Sequence, residues 1–176
     1  MIKYLVGAHG TGKSTLLKAC RELYPDTYYS EGVTRPIVRA LRTLQINEFE
    51  VEQELINELT VSAYRNQIEN TNILCTRSII DLIVYNKVLH PEKEVDKYIE
   101  LWRETGKKVD LLIYTPIEFE LKEDEIRKGV FGNRDIQIKI DEEINRFFQK
   151  YVDQSKIITV RGSTTQRLDQ IKKYFK

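Results

Sequence analysis

The stretch Ile2-Lys-Tyr-Leu-Val-Gly7-Ala-His-Gly-Thr-Gly12-Lys13-Ser14 decides the fold of this 176-residue chain. Residues 7–14 match the phosphate-binding pattern G-x-x-x-x-G-K-[ST] at every fixed position. A short β-rich apolar run precedes them, and leucines at helical spacing follow them as far as Pro25. The stretch therefore predicts a strand, a loop whose backbone N–H groups turn toward phosphate oxygens, and a helix whose N-terminus adds partial positive charge.

The residue types in this phosphate loop predict which ligand groups they contact. The Lys13 ammonium is expected to bridge the β- and γ-phosphates, the Ser14 hydroxyl to ligate Mg²⁺, and Thr15 to reach the α-phosphate. His9 stands at a variable position of the pattern and is given no catalytic role. We therefore expect ATP and Mg²⁺ to bind here, with contacts from Gly7, Gly10, Thr11, Gly12, Lys13, Ser14 and Thr15.

The rest of the chain alternates short apolar strands with helical patterns. Strands are predicted at residues 2–6, 27–30, 72–76, 109–115 and 156–160. Helices are predicted at residues 36–44, 48–70 and 79–89, from about 95 to 106, at 140–151 and from about 168 to 175. This alternation is typical of a parallel sheet covered on both faces, and such sheets bind ligands beyond the carboxyl ends of their strands.

Composition restricts the classes to which the chain can belong. One domain is expected for 176 residues, and the net charge of +1 is unlike that of a polybasic nucleic-acid-binding module. No apolar run approaches the ~18–20 residues that span a bilayer. The two cysteines, Cys20 and Cys75, have neither CxxC spacing nor enough histidines beside them for a zinc site. We expect a cytoplasmic protein without a membrane partner.

The other classes of nucleotide-binding protein lack their motifs here. A GTPase needs D-x-x-G and N-K-x-D, but no Asp precedes a Gly by three residues, and Asn86-Lys87-Val88-Leu89 lacks the final Asp. The signature of ABC-type ATPases is absent as well, and the chain is short for a motor ATPase. A compact kinase remains the best class.

Three further stretches extend the pattern beyond the phosphate loop. They are Ser30-Glu31-Gly-Val-Thr-Arg35-Pro36, Thr76-Arg77-Ser78-Ile-Ile-Asp81, and the run from Tyr114-Thr-Pro-Ile-Glu-Phe through Arg127 and Asp135 to Asp141-Glu-Glu-Ile. With them, nearly the whole chain resembles the small P-loop kinases of the nucleoside and nucleotide kinase group. It resembles in particular their ribosylnicotinamide-kinase-like branch, which is often labelled AAA-domain ATPase and is common in phages.

This resemblance implies an α/β fold, a three-layer P-loop NTPase with a five-stranded parallel sheet and a lid. The single kinase domain would span residues 1–176, with the lid at 122–135. Arg127 and Arg134 are its candidate catalytic arginines, because lid arginines meet the charge of the γ-phosphate and exclude water. Ser163 and Arg167 belong to the loop after the fifth strand, which lies against adenine in the resembling kinases.

The stretch after the second strand supplies the sharpest catalytic candidate. Glu31 is expected to lie beside the phosphate loop, where it would accept the proton of a substrate hydroxyl or hold Mg²⁺ through water. The resembling nucleoside kinases use an acid at this place as the base. Arg35, four residues on, is a candidate for holding the acceptor or pairing with Glu31.

The stretch after the third strand departs from the family pattern. Relatives carry Asp-Arg-Ser or Glu-Arg-Ser, whereas this chain has Thr76-Arg77-Ser78, so the acid that would order Mg²⁺ is missing. Either Glu31 takes over more of that role or Thr76 holds a metal-bound water. Arg77 is a candidate phosphate clamp, because a guanidinium matches phosphate oxygens in pairs. Asp81 is a candidate for binding Arg77 or the substrate, with a helix-terminal carboxylate as the alternative.

The acceptor of the phosphoryl group stays open at this point. A nucleoside, a mononucleotide or ribosylnicotinamide is the first choice. A hydroxymethylated base in phage DNA is the second, since residues 1–44 hold seven Lys and Arg against three acids, a surplus that is compatible with a local basic track. The third possibility is a regulatory ATPase that switches a partner. The sequence does not indicate an oligomeric state.

Overall fold

The parallel sheet is built around the strand that leads into the phosphate loop. The computed structural model describes residues 1–32, 49–121 and 132–175. Its strands are β1 (Ile2–Val6), β2 (Tyr28–Ser30), β3 (Ile73–Cys75), β4 (Leu111–Tyr114) and β5 (Ile157–Thr159). They lie in the order β2-β3-β1-β4-β5, and every pair is parallel. This confirms the predicted five-stranded parallel sheet.

Helices connect the strands, as parallel pairing requires. In the described residues they are α1 (Lys13–Leu23), α2 (Phe49–Gln67), α3 (Ile79–Leu89), α4 (Asp96–Thr105), α5 (Arg134–Tyr151) and α6 (Thr164–Ile171). Single 3₁₀ turns follow α4, α5 and α6 at Gly106–Lys108, Gln154–Lys156 and Lys172–Tyr174. None of the described helices combines the length and the apolar character needed to cross a bilayer.

The side chains of β1 alternate between two apolar cores. Tyr4 and Val6 face the core that contains α3, α4 and α5, whereas Leu5 faces the one that contains α1 and α6. Every residue of α3 from Ile79 to Val84 is buried, as its nearly continuous apolar sequence predicts. The sheet is therefore covered on both faces, which confirms the three-layer α/β fold.

Two predicted boundaries differ from the structure at the end of the lid segment. α5 begins at Arg134, so Arg134 and Asp135 belong to a helix and not to the loop predicted at 122–135. The reason is Asn133, whose side chain accepts hydrogen bonds from the N–H groups of Asp135 at 2.8 Å and Ile136 at 3.3 Å and so caps the helix. The predicted helix at 36–44 and the predicted lid residues 122–131 lie outside the described residues.

Candidate active site

The phosphate loop leaves β1 at the centre of the carboxyl edge of the sheet. A Cβ atom on Gly7 would lie 2.4 Å from the carbonyl oxygen of Thr115, so only glycine fits between these strand ends. Gly12 has φ +91°, a left-handed conformation that glycine adopts without steric cost. The Thr11 hydroxyl donates to the Ala8 carbonyl and lies 2.9 Å from the Thr115 hydroxyl. The end of β4 thus holds the loop in its turned form.

The Lys13 ammonium is held inside this loop. It donates to the carbonyl oxygens of Gly7 at 2.5 Å and Ala8 at 2.6 Å, and the residue is only 7% exposed. The hydroxyls of Ser14 and Thr15 belong to exposed residues of the first turn of α1, and that turn contains no acidic residue. The positive end of the helix is therefore not neutralised locally, which favours an anionic ligand.

Ser14 fits the predicted role in holding Mg²⁺. Its hydroxyl is exposed beside Lys13 at the helix N-terminus, where a bound triphosphate would bring its own oxygens. Mg²⁺ keeps several waters and is bound by few protein groups together with substrate phosphates, and in P-loop proteins the Ser or Thr of the motif is one of those groups.

Arg167 joins the phosphate loop to the ends of β4 and β5. Its guanidinium, 2% exposed as a residue, donates to the carbonyl of Thr11 at 2.6 Å and to Glu118 Oε2 at 2.7 Å. The same carboxylate oxygen accepts from the Gly162 N–H at 3.0 Å. Burial opposes ionisation of Glu118, but these hydrogen bonds and the charges of Arg167 and Arg161 outweigh it, so the pKa of Glu118 lies below its ordinary value.

The structure thus places Arg167, predicted as a nucleotide-binding residue, against the backbone of the loop. There its guanidinium donates a hydrogen bond to the Thr11 carbonyl, and its contact with adenine stays a prediction. The Ser163 hydroxyl accepts a hydrogen bond from the backbone N–H of Gln166 and so caps α6. In turn, the side-chain oxygen of Gln166 accepts a hydrogen bond from the Ser163 N–H at 2.8 Å. Ser163 therefore has the capping role of a Ser at a helix start, and its contact with the base is likewise untested.

After β3, Arg77 and Asp81 form the pair that the sequence allowed. Arg77 Nη1 donates to Asp81 Oδ1 at 3.0 Å, and Asp81 Oδ2 accepts from the Ser78 N–H at 2.9 Å, which completes a capping box at the start of α3. The guanidinium lies 5.2 Å from the ring centroid of Tyr85, whose hydroxyl is 3.4 Å from His9 Nδ1. Arg77 is thereby linked to the phosphate loop through two aromatic side chains. Thr76, in place of the family's acid, accepts the N–H of Gly32 at 3.3 Å.

Glu31 directly follows β2, at the carboxyl edge of the sheet. β2 is an edge strand, and β3 stands between it and β1. The Glu31 side chain is 54% exposed, and its carboxylate lies 3.7 Å from Arg21, eight residues after Lys13 on α1. At 1.5 Å per residue, Arg21 lies roughly 12 Å from Lys13 along the helix axis. Its roles as base and as Mg²⁺ ligand stay predictions.

Arg134 reaches the phosphate loop indirectly. Its guanidinium donates to the carbonyl of Phe119 at 3.1 Å and to Gln137 Oε1 at 2.6 Å. The Gln137 amide, 1% exposed as a residue, donates in turn to the carbonyl of His9 at 2.5 Å. Sequence reasoning missed Gln137, although a glutamine one turn before Ile140 and two before Ile144, on an otherwise apolar helix face, is the kind of signal that marks a buried polar contact.

Asp141 is a second residue whose role the sequence did not indicate. Its Oδ2 accepts from the Tyr114 hydroxyl at 2.8 Å, while its buried Oδ1 has no hydrogen-bond partner among the described residues. Burial raises the pKa of Asp141, although the Tyr114 bond and the charges of Lys13 and Arg161 act in the opposite direction. A carboxyl group with a raised pKa thus lies in the electrostatic range of the phosphate-loop lysine.

Of the predicted site residues, the structure gathers Lys13, Arg77, Arg134 and Arg167 around the phosphate loop through direct or one-residue links. Arg35 and Arg127 lie outside the described residues. No cluster of three or more potential metal ligands of the types His, Cys, Asp and Glu occurs in the residues that the structure covers.

Comparison with known proteins connects this geometry to a family. The family model described as "AAA domain" matches residues 3–167, which is most of the chain. Thymidylate kinase from Candida albicans is similar in structure, with a TM-score of 0.65 and 15% identity over 98% of this chain and 89% of that one. Deoxyadenosine kinase from M. mycoides, solved with dCMP and dCDP, gives a TM-score of 0.65 and 14% identity over 99% of this chain and 98% of that one.

The NadR protein, solved in complex with NR, gives a TM-score of 0.68 and 17% identity over 98% of this chain, which spans only 50% of the NadR chain. At these identities the likeness establishes the fold alone, and it is the fold that the resemblance in sequence implied. Among curated proteins, none matches the chain.

Proposed function

Because the chain belongs to the AAA domain family whose model covers residues 3–167, we propose that it is a kinase that transfers the γ-phosphate of ATP to a nucleoside-like acceptor. The observation that carries the proposal is the phosphate loop, with a buried Lys13 at its centre and no acid in the first turn of α1. Mg²⁺ bound at Ser14 would neutralise charge on the phosphates.

Positioning and charge neutralisation would supply most of the catalysis, as in other phosphoryl transfers. Lys13 would leave the Gly7 and Ala8 carbonyls and bond phosphate oxygens, which are stronger acceptors because they are charged. Arg77, less than a third exposed and next to the loop through Tyr85 and His9, would bind the transferred or accepting phosphate. Glu31 would act as base if the acceptor is a hydroxyl, whereas a monophosphate acceptor would need no strong base.

The nucleoside-like acceptor is supported by two of the similar structures. One is a deoxyadenosine kinase solved with nucleotide products, and the other is a protein solved with NR. We place the acceptor over the carboxyl edge of the sheet on the β3 side of the phosphate loop, between Glu31 and the start of α3.

The test is ADP release from ATP and Mg²⁺ across free nucleosides, mononucleotides, ribosylnicotinamide and DNA with hydroxymethylated bases. We expect one small-molecule acceptor to stimulate release strongly. Stimulation by modified DNA alone, weakened by added salt, would identify a DNA kinase instead. ATP turnover that no acceptor changes would identify a regulatory ATPase.

The Lys13→Ala variant tests the phosphate loop itself. Loss of the ammonium that meets the β- and γ-phosphates should lower acceptor-dependent turnover by roughly 100-fold or more. Lys18→Ala is the matched control, since Lys18 is an exposed residue of the same helix and should leave turnover unchanged. Normal ATP use by Lys13→Ala would contradict the proposal.

A further inference from the structure

An exposed aromatic ring stands at the functional edge of the sheet. Phe119 follows β4 by five residues and is 46% exposed, which is unusual for a phenylalanine. Among the residues that the structure describes, the only other exposed aromatic residue is Tyr28, at 62%, which lies on the edge strand β2. The position of Phe119 at the ligand-binding edge therefore calls for a functional explanation.

One face of the Phe119 ring is occupied by protein. The Arg167 guanidinium lies over the ring, 5.0 Å from its centroid, and this guanidinium is fixed in turn by Thr11 and Glu118. The backbone of Phe119 is fixed as well, because its carbonyl accepts a hydrogen bond from Arg134 at 3.1 Å. The ring is thus held by Arg167 on one face and by the bonded backbone, while nearly half of the residue remains exposed to a ligand.

The position of the ring relative to the phosphate loop follows from its chain neighbours. Glu118, just before it, accepts from the N–H of Gly162 in the loop after β5. Leu121, two residues after it, lies so close to Gly10 that a Cβ atom there would be 2.7 Å from its Cδ1 atom. Phe119 therefore stands in the segment that runs from the loop after β5 to the phosphate loop.

We propose that the open face of Phe119 is the stacking platform for the base of the donor nucleotide, with Arg167 holding the ring from behind. This inference rests on the proposed function, in which ATP is the donor. A base has an apolar π face that stacks on an aromatic ring, and such stacking contributes to affinity whichever base is bound. The cation behind the ring is attracted to its electron-rich face and keeps it in place.

A platform of this kind recognises the face of a base and not its edge. The contribution of Phe119 should therefore be similar for ATP and GTP, and absent for inorganic tripolyphosphate, which has phosphates but no base. The three probes thus separate a stacking role from an effect on the phosphate loop.

The experiment measures the Kd of each probe by calorimetry for the wild-type chain, Phe119→Leu, Phe119→Trp and the control Tyr28→Leu. We expect Phe119→Leu to raise the Kd of ATP and GTP by about tenfold and to leave that of tripolyphosphate unchanged. Phe119→Trp keeps an aromatic face, so its Kd for ATP should stay close to that of the wild type. Tyr28→Leu should match the wild type for every probe.

The outcomes separate this inference from the proposed function. A wild-type chain that binds neither ATP nor tripolyphosphate would overturn the proposed function, and the platform with it. A wild-type chain that binds ATP together with a Phe119→Leu variant that binds it equally well would overturn the platform alone. An equal loss of ATP and tripolyphosphate binding would also overturn it, because the ring would then act through the phosphate loop. Thermal unfolding of each variant verifies that the substituted chain is folded.

Discussion

Lys13 and Glu31 show how differently two charged residues can be placed at one edge of a sheet. Lys13 is buried and bonded to the loop carbonyls, so its position is determined by the loop backbone. Glu31 is more than half exposed, and among the described residues its ion pair is with Arg21, at 3.7 Å. Such exposed pairs contribute little, at most about 1 kcal/mol, so Glu31 is able to exchange Arg21 for another partner.

Glu31→Gln tests whether this residue acts as the base toward a hydroxyl acceptor. A glutamine keeps the size of the side chain but does not accept the proton, so kcat should fall by roughly 100-fold or more while the KM for ATP changes little. The measurement is steady-state turnover with the best acceptor. Glu22→Gln, which changes an exposed acid on α1, is the control. Unchanged turnover in Glu31→Gln would show that another group, or none, takes the proton.

The residues that sequence reasoning found and those it missed differ in the kind of information they need. The phosphate loop is readable because its glycines and Lys13 act within eight consecutive residues. Gln137 and Arg167 act on the carbonyls of His9 and Thr11, which lie 128 and 156 residues away in the chain. The sequence marks Gln137 as a polar residue on an apolar helix face and Arg167 as a candidate for nucleotide binding, but it does not identify the backbone carbonyls to which they donate.

At the scale of elements, the prediction agrees with the structure where the apolar pattern alone determines the element. α3 is apolar along nearly its whole length, and its predicted bounds at 79–89 are those of the structure. α5 was predicted from its apolar face beginning at Ile140, and its first six residues, 134–139, were missed because the stretch that contains Asn133 and Arg134 is polar and resembles a loop. The strands β3 and β5 are three residues long, shorter than the runs predicted at 72–76 and 156–160.

The ion pair between Glu118 and Arg167 links three elements, β4, α6 and the phosphate loop before α1. The Arg167 side chain is 3% exposed and that of Glu118 is 20% exposed. Glu118→Gln would leave the guanidinium buried without its counter-charge, so we expect a loss of about 2 kcal/mol in the free energy of unfolding, reduced from the ~3–5 kcal/mol of a fully buried pair by partial exposure. Urea denaturation at pH 7 measures it.

The pH dependence of this difference identifies its cause. The pKa of Glu118 is lower in the folded chain than its ordinary value, so its stabilising contribution is complete above the unfolded pKa of about 4.3 and is lost as pH falls through the folded pKa. The wild type and Glu118→Gln should therefore converge in stability at acid pH. Glu142→Gln is the control, because Glu142 and its partner Arg146 are both more than half exposed and should contribute little at any pH. A difference that persists unchanged below pH 3 would mean that lost packing, and not lost charge, explains the effect.

At the scale of the whole molecule, the two cysteines report on opposite faces of the sheet. Cys20 belongs to the core under α1 and α6, and Cys75 to the core under α3 and α5. Both are fully buried, and burial raises the pKa of the Cys20 thiol to about 12 and that of Cys75 in the same direction. Neither thiolate is available at neutral pH in the folded chain, so both thiols should be unreactive.

If the three layers open as one cooperative unit, a thiol reagent should modify Cys20 and Cys75 at the same slow rate. ATP at 100 times its Kd should slow both rates by about 100-fold, because binding stabilises the folded state. Mass spectrometry of the labelled peptides measures each site separately. Faster labelling of one cysteine would show that one layer opens independently, and equal labelling with and without ATP would show that the opened state still binds nucleotide.

The hydrogen bond from Arg167 to the Thr11 carbonyl has a consequence for the order in which the protein is made. A ribosome adds the guanidinium that bonds to the phosphate-loop backbone 156 residues after the Thr11 carbonyl that accepts this bond. β1 must likewise wait for β3 and β4, whose first paired residues, Ile73 and Leu111, follow about 70 and 110 residues behind it. A nascent chain therefore carries the phosphate-loop motif long before the residues that hold the loop in place have been made.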